Sequence, residues 1–476
     1  MKYVLLLTGA LLLAPASADP LPELGDPSQS TLSNQQERQL GETIMRQIRA
    51  DRQYLDDPEV TDYINGLGYK LVANSANSGQ AFEFFVINDP SINAFALPGG
   101  FIGAHTGLIV TSQTESELAA VLAHEIGHVT QRHIARFFQQ QEKAGYAALA
   151  AMALALLAAR SSPDLAQAAV AGAQYATVQT QLNFSRDNER EADRAGVQTL
   201  ERSGFDPRGM PAFLDRLQRA YRIYDTNAPS YVRTHPLTTE RIADVQNRVE
   251  SMPYRQVPDT LEFQLVRARL QVAQYSPRDA VERFNDILQE KKTVSDIPAR
   301  YGLVLALLEA KDIQRAVRES EILLKEAPDS VMIAVLVARV RLAAGNRKDA
   351  FELYAETLKR FPRWRALIYD YARALLDAKR PREALQVTGD ASQVLHGDRR
   401  LYQLQGQAYA ALGQKLQQHR AQAEAFVLMG NLPAAIDQLQ SGLRSGDGDY
   451  YQLSSAEARL RELRALEAEN RRAQQR

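Results

Sequence analysis

Apolar residues recur at helical spacing over most of the chain, with one short region of a different pattern. From Thr31 onward, the stretches ERQLGETIMRQI and VTDYINGLGYKLV place apolar residues on one face of a helix. Between Phe82 and Ile109, FEFFVIND and NAFALPGGFIGAHTGLI are rich in aromatic and β-branched residues, and Pro98-Gly99-Gly100 marks a turn. The pattern therefore predicts a mainly α-helical protein with a few short strands near its N-terminal end.

A strongly apolar helix is predicted next. The stretch ESELAAVLAHEIGHVTQRH runs from Glu115 to His133 and holds three of the seven histidines of the chain. His124 and His128 are four residues apart, so they lie on one face of a helix. His133 falls on a different face of the same helix. We expect His133 to be a surface or capping residue and not a metal ligand.

From Leu261 onward the chain is uniformly amphipathic and repetitive. RDAVERF, QRAVRES, KDAFELY and REALQVT align their alanines, and Ala316, Ala350 and Ala384 are spaced by 34 residues. This period is typical of tetratricopeptide repeats, each of which is a pair of helices. The alternative is an ordinary helical bundle, which the fixed period disfavours. Residues 261–476 are therefore predicted to form an α-solenoid of tetratricopeptide-like helix pairs.

Two apolar segments bear on the location of the protein. Lys2, the run VLLLTGALLLA and Ala16-Ser17-Ala18 have the pattern of a signal peptide, so residues 1–18 are predicted to be cleaved after Ala18. Residues 19–30 are rich in proline and are expected to be a linker. Residues 144–159 are predicted to form a buried or lid helix. Alternatively, residues 144–176 form a hairpin that makes peripheral contact with a membrane.

Composition narrows the class of protein. A chain of 476 residues is expected to contain more than one domain, and 45% hydrophobic with 24% charged residues is typical of a globular protein. A formal net charge of −1 gives no indication of nucleic-acid binding. The absence of cysteine excludes disulfides and thiolate metal sites.

The HEIGH sequence predicts a zinc site. His124 and His128 can bind one Zn²⁺ from the same side, and Glu125 is placed to polarise the water that the metal activates. The alternative is a pair of surface histidines beside a solvated glutamate. It is disfavoured because the flanking residues LAAVLA and IGHV are apolar, and histidines buried among them need a partner. We expect one Zn²⁺ per chain.

A catalytic zinc needs a third protein ligand, and the stretch NFSRDNEREADRAG contains candidates. Glu189 and Asp193 are four residues apart on one predicted helical face. Glu189 could bind the metal while Asp193 accepts a hydrogen bond from a ligand imidazole. The residues alone leave open an ordinary charged helix, in which neighbouring arginines pair with these acids.

Four elements in order carry a family resemblance. NAFALPGGFIGAHTGLI, HEIGH, EREAD and THPLTTERI together resemble the M48 family of zinc metalloproteases, a gluzincin group, over roughly Thr31 to Met252. The resemblance implies a gluzincin-type α+β protease domain in residues 31–255. It further implies that Glu189 is the third metal ligand and that Asp193 is a catalytic proton donor or an orienting partner.

The resemblance also draws attention to two residues beside the expected cleft. His235, in the T-H-P segment, is expected to stabilise the oxyanion of the reaction or to occupy the open metal position in a resting state. Asn93 is a weaker candidate for holding a substrate backbone alongside a strand.

An exported M48-like domain followed by tetratricopeptide-like repeats resembles one branch of that family. The resemblance implies a periplasmic zinc endopeptidase that degrades misfolded or stalled outer-membrane proteins and assists assembly, with the repeats contacting the barrel-assembly machinery. Two alternatives stay open: a non-proteolytic chaperone or scaffold, and a membrane-embedded enzyme. Only the short segment 251–260, SMPYRQVPDT, joins the two domains, so we expect them to dock.

Overall fold

The computed structural model describes residues 33–76, 79–140, 186–223, 230–290 and 295–474. The expected signal peptide at 1–18, the linker at 19–30 and the apolar segment at 144–176 lie outside these ranges. In the described part of the chain, no helix is both long and apolar enough to cross a membrane.

The described residues before position 251 form a small sheet surrounded by helices. The elements are α1 (Asn34–Ile48), α2 (Pro58–Val72), β1 (Glu83–Ile87), β2 (Ala94–Leu97), β3 (Phe101–His105), α3 (Thr106–Thr111), α4 (Glu115–Thr130), α5 (His133–Gln140), α6 (Arg186–Arg202), α7 (Gly209–Ile223), α8 (Ser230–Thr234) and α9 (Thr239–Glu250). The strands and the helices α1, α2, α4 and α6 lie in the stretches where the sequence predicts them, whereas Thr106 to Ile109, part of a predicted extended run, belong to α3.

The three strands have the order β1-β3-β2. β1 is parallel to β3, whereas β2 and β3 form an antiparallel hairpin. The hairpin turns at Gly99 and Gly100, whose φ angles of 78° and 82° favour glycine. A Cβ at Gly100 would lie 2.1 Å from the carbonyl oxygen of Ala81, so the turn requires a glycine there. Among the described strands β3 is central, and β1 and β2 form the two edges of the sheet.

Helix α4 is shorter than its sequence pattern predicts. Thr114 caps its start by accepting a hydrogen bond from the backbone of Glu117. The helix ends at Thr130, and Arg132 takes a left-handed φ of 54° before His133 begins α5. The prediction of one helix up to His133 is therefore wrong in its last turn, because the chain changes direction at Arg132.

The C-terminal part consists of paired helices, as predicted. They are α10 (Leu261–Val272), α11 (Pro277–Glu290), α12 (Ile297–Glu309), α13 (Ile313–Glu326), α14 (Val331–Ala343), α15 (Arg347–Arg360), α16 (Arg365–Asp377), α17 (Pro381–Ser392), α18 (Arg399–Ala411), α19 (Lys415–Leu428), α20 (Leu432–Leu443) and α21 (Tyr450–Gln474). The repeat alanines Ala316 and Ala350 are fully buried. Their small side chains allow consecutive helices to pack closely.

The repeats dock against the N-terminal part, as the short connection indicated. Arg269 on α10 forms ion pairs with Glu59 at 2.8 Å and with Asp57 at 2.6 Å, both at the start of α2. The Tyr301 hydroxyl donates to Glu59 over 3.2 Å. Apolar residues of both parts also belong to one continuous core. Burial of this kind joins the two parts into one packed unit.

We expect Arg269→Met to lower the free energy of unfolding by about 3–5 kcal/mol near neutral pH, because Glu59 would lose a buried counter-ion. Burial already raises the pKa of the Glu59 carboxyl, and Arg269 opposes that rise. Without Arg269 the folded-state pKa rises further, so the carboxyl is uncharged at acidic pH and the loss of stability shrinks there. Denaturant unfolding at neutral and at mildly acidic pH measures both effects.

The matched control is the double variant Arg269→Met/Glu59→Gln, which removes both charges of this buried pair and should recover most of the lost stability. A loss that is the same at both pH values, or no recovery in the double variant, would contradict this account of the interface.

Candidate metal centre

Two glycines allow α4 and α6 to approach closely. A Cβ at Gly127 would lie 2.9 Å from the carbonyl oxygen of Ala192 on α6, and a Cβ at Gly196 would lie 3.2 Å from the backbone nitrogen of His124. Larger side chains at these positions would push the helices apart. The close approach brings the acidic residues of α6 to the histidines of α4.

Four buried residues direct possible metal-ligand atoms at one point. His124, His128, Glu189 and His235 each offer one such atom, and these atoms lie within 4.8 Å of one another. The two Nε2 atoms of the α4 histidines are 2.9 Å apart. Oxygens of Glu189 lie 3.5 Å from His124 Nε2 and 3.4 Å from His128 Nε2. The structure thus brings all three predicted metal ligands together.

His235 joins the cluster from the other side. It follows α8 directly, and its Nδ1 lies 3.0 Å from Glu189 Oε1 and 3.4 Å from His124 Nε2. Its ring stacks on that of Tyr231 at a centroid distance of 4.6 Å. The sequence pattern indicated a loop histidine near the cleft, and the structure places it there.

Asp193 and Arg241 support the cluster from behind. Asp193 Oδ1 lies 2.9 Å from Nδ1 of His124, as expected for an orienting partner. Arg241 donates to Asp193 through Nε at 2.5 Å and through Nη2 at 2.9 Å, and its Nη1 lies 2.5 Å from Glu189. Our sequence interpretation missed Arg241, although it lies in the quoted segment THPLTTERI. Its role becomes visible only in the tertiary structure, where it contacts Asp193 and Glu189, two acidic residues that are distant in sequence.

The charges in the cluster are set by burial and by neighbouring groups. Burial opposes charge on His124, but hydrogen bonds to Asp193 and Glu189 raise its pKa to about 9. Burial lowers the pKa of His128 to about 3. Burial disfavours the Glu189 carboxylate, yet the charges of His235 and Arg241 hold its pKa well below the ordinary value. A bound cation would compete with the proton on His124.

Glu125 is fully buried, and neither of its carboxylate oxygens makes a hydrogen bond with a described residue. Its Oε1 lies 3.5 Å from His235 Nε2. Burial raises the pKa of this carboxyl, with the charges of His235 and His124 opposing the rise. A buried, unsatisfied carboxylate beside convergent imidazoles and a second carboxylate fits a divalent metal ion with its activated water. The residues present therefore fit the expected metal.

His133 is not a surface residue, which corrects our expectation. It is fully buried, and its Nδ1 lies 2.8 Å from Nδ1 of His128. Burial lowers its pKa to about 3. The helical-face argument failed because it assumed one continuous helix, whereas the turn at Arg132 directs His133 back towards α4.

Asn93 lies just before β2, one of the two edge strands of the described sheet. Its side chain is largely buried, and its Oδ1 has no hydrogen-bond partner among the described residues. This position suits contact with an extended chain, but a role in substrate binding stays a prediction.

Known families and proteins resemble the chain over both of its parts. The model of peptidase family M48 matches residues 58–249, and a tetratricopeptide repeat model matches residues 341–408. The beta-barrel assembly-enhancing protease of Escherichia coli (strain K12) is 36% identical over 463 residues, which cover 96% of this chain and 94% of that protein.

Two further relatives extend the comparison. The putative beta-barrel assembly-enhancing protease of Vibrio cholerae is 34% identical over 426 residues, 88% of each chain. The mitochondrial metalloendopeptidase OMA1 of Schizosaccharomyces pombe is 32% identical over 197 residues, which cover 41% of this chain and 54% of that protein. The similarity to the bacterial proteins thus spans most of the chain, whereas that to the mitochondrial enzyme spans less than half.

Proposed function

The chain belongs to peptidase family M48 and is a metalloendopeptidase with tetratricopeptide repeats, and from that premise we propose that it is a periplasmic zinc peptidase of outer-membrane protein quality control. It cleaves misfolded or stalled outer-membrane proteins and also assists assembly. The observation that carries the proposal is the buried cluster of His124, His128 and Glu189 beside the unsatisfied Glu125.

His124, His128 and Glu189 are the residues that would hold the metal. Two imidazoles and one carboxylate are the protein donors of many catalytic zinc sites. When bound, zinc supplies a Lewis acid that polarises water and the scissile carbonyl. Asp193 accepts a hydrogen bond from His124 Nδ1 and so directs the other ring nitrogen into the cluster.

Glu125 acts as the general base and proton carrier. Its carboxylate accepts a proton from the attacking water and passes it to the leaving amine. Burial favours the first step, because it raises the pKa of Glu125 and so strengthens the carboxylate as a base. His235 Nε2, which lies 3.5 Å from Glu125 Oε1, is a polar neighbour of this carboxylate among the described residues.

The position of His235 favours a resting-state role. Its Nδ1 approaches the same point as the other three residues, so in this conformation it would occupy the position that substrate and water need. Displacement by a peptide would open that position. Once displaced, the imidazole stays near enough to donate to the oxyanion.

The repeats and the N-terminal segment complete the proposal. Stacked helix pairs offer extended surfaces for protein partners, for which we propose outer-membrane clients and the barrel-assembly machinery. Export rests on the signal-peptide pattern of residues 1–18. Membrane contact through residues 144–176 stays a prediction, since that segment lies outside the described residues. A purely structural scaffold is not favoured, because it has no use for the buried Glu125 carboxylate.

Removing the metal tests the proposal. We expect the purified full-length protein to degrade an unfolded outer-membrane β-barrel protein, to lose that activity in 1,10-phenanthroline, and to recover it with Zn²⁺ but not Mg²⁺. Gel electrophoresis of the client over time measures the loss. The same barrel protein folded in detergent micelles serves as the control and should stay intact.

Each outcome decides a separate part of the proposal. Cleavage that survives chelation would contradict the metal mechanism. If the protein cleaves unfolded casein but does not cleave the unfolded barrel protein, the peptidase activity is confirmed and the proposed class of client is wrong.

A further inference from the structure

A series of hydrogen-bonding side chains extends from His128 of the metal centre to the protein surface. His133 Nδ1 lies 2.8 Å from His128 Nδ1, and His133 Nε2 lies 3.2 Å from Glu191 Oε2. The same Glu191 oxygen accepts a hydrogen bond from Arg136 Nη2 at 2.7 Å. His133 is fully buried, whereas Glu191 and Arg136 are partly exposed. This hydrogen-bonded series therefore connects His128, a buried candidate metal ligand, with the surface.

The two ends of this series, the metal-facing nitrogen of His128 and the Glu191 carboxylate, determine which ring nitrogens carry the protons. His128 Nε2 faces the cluster, and to bind a cation it needs a free lone pair there, which puts the proton on Nδ1. His133 Nδ1 must then accept, which puts the His133 proton on Nε2. The ionised Glu191 carboxylate can only accept, so it favours that tautomer of His133. Each group thus determines the proton position of the next.

The arrangement parallels the support of the other histidine. His124 Nδ1 contacts Asp193, and Arg241 holds that carboxylate. His128 is connected in the same way to the Glu191 carboxylate, which Arg136 holds, but the imidazole of His133 lies between them. Both α4 histidines therefore have a carboxylate that determines which nitrogen points into the cluster. Partners of this kind typically account for about 10- to 100-fold in metal affinity.

We propose that His133 is a positioning residue of the metal centre, which holds His128 with its Nε2 lone pair directed at the metal, and that Glu191 acts through His133. The inference rests on the proposed metal site. It assigns functions to two residues that lie outside the four-residue cluster and that do not touch the metal or the substrate.

Metal affinity tests the proposal without relying on catalysis. The apparent dissociation constant for Zn²⁺ is measured by chelator competition on the full-length protein, together with the visible spectrum of the Co²⁺-loaded form. We expect His133→Leu to weaken Zn²⁺ binding about 10- to 100-fold and to alter the Co²⁺ spectrum. His133→Gln, which can both accept and donate, should restore most of the affinity.

A double-mutant cycle tests the role of Glu191. Glu191→Ala should weaken Zn²⁺ binding by up to about tenfold in the wild type, and should add nothing in the His133→Leu background, because its effect passes through His133. Glu201→Gln removes an exposed carboxylate from the same helix and serves as the matched control with unchanged affinity. Melting temperatures show whether each variant is folded.

The outcomes separate this inference from the function on which it rests. A folded His133→Leu variant with wild-type Zn²⁺ affinity and an unchanged Co²⁺ spectrum overturns the inference alone. Equal losses in His133→Leu and His133→Gln, with equally lowered melting temperatures, also overturn it, because they indicate a packing role. A wild-type protein that binds no Zn²⁺ overturns both the inference and the proposed metal site.

Discussion

Glu125→Gln is expected to lower kcat for peptide hydrolysis by about 10²- to 10⁴-fold, the usual contribution of a positioned general base. The amide has the shape of the carboxylate but cannot take up a proton from water. Glu125 is not part of the four-residue ligand cluster, so the variant should still bind metal. Hydrolysis of a quenched fluorescent peptide at saturating substrate measures the change in kcat.

The control for this prediction is the metal content of the same variant. Wild-type metal content with lost hydrolysis would assign Glu125 to proton transfer. A variant that keeps wild-type kcat would show that another group takes the proton. Retained binding of an unfolded barrel client by the inactive variant would also separate the repeats' contribution from catalysis.

Glu189→Gln is expected to abolish stable metal binding. The wild type should retain about one metal ion per chain after dialysis against a weak chelator, as a three-ligand site does. The variant should lose nearly all of it, a larger effect than the roughly 10- to 100-fold typical of an outer partner. Two causes act together: a neutral amide is a poorer ligand, and Arg241 keeps its charge at the site with one acid fewer to balance it.

Elemental analysis of the dialysed proteins measures this effect. Asp193→Asn is the matched comparison, because it neutralises the other acid beside Arg241 without removing a metal ligand. It should lower the metal affinity by about 10- to 100-fold and so retain more metal than Glu189→Gln. Full metal content in dialysed Glu189→Gln would show that Glu189 is not a ligand.

Much of the fold follows from local patterns in the sequence. The turn residues Pro98-Gly99-Gly100 predicted the turn that joins β2 and β3, and the 34-residue period predicted the paired helices. These features depend on local backbone geometry, so the sequence reveals them without knowledge of the tertiary packing. The end of α4 could not be found in this way, because the left-handed turn at Arg132 has no glycine or asparagine to indicate it.

Some residues of the candidate site could likewise be identified from local spacing, whereas others could not. His124, Glu125 and His128 lie within one helical turn, so their spacing alone indicated a metal motif. Glu189, Asp193 and His235 needed a family resemblance, since spacing along the chain does not show which distant residues meet. The structure now brings all six side chains into one buried cluster or against it.

The sequence by itself determined the class of fold, the repeat period and the helical metal motif, because each depends on short-range periodicity. Only the tertiary structure decided that Arg241 balances two acids, that His133 supports His128, and that Arg269 joins the repeats to α2. Each of these contacts connects side chains from different elements. Their energies depend on burial and on partners that exist only after the helices have packed.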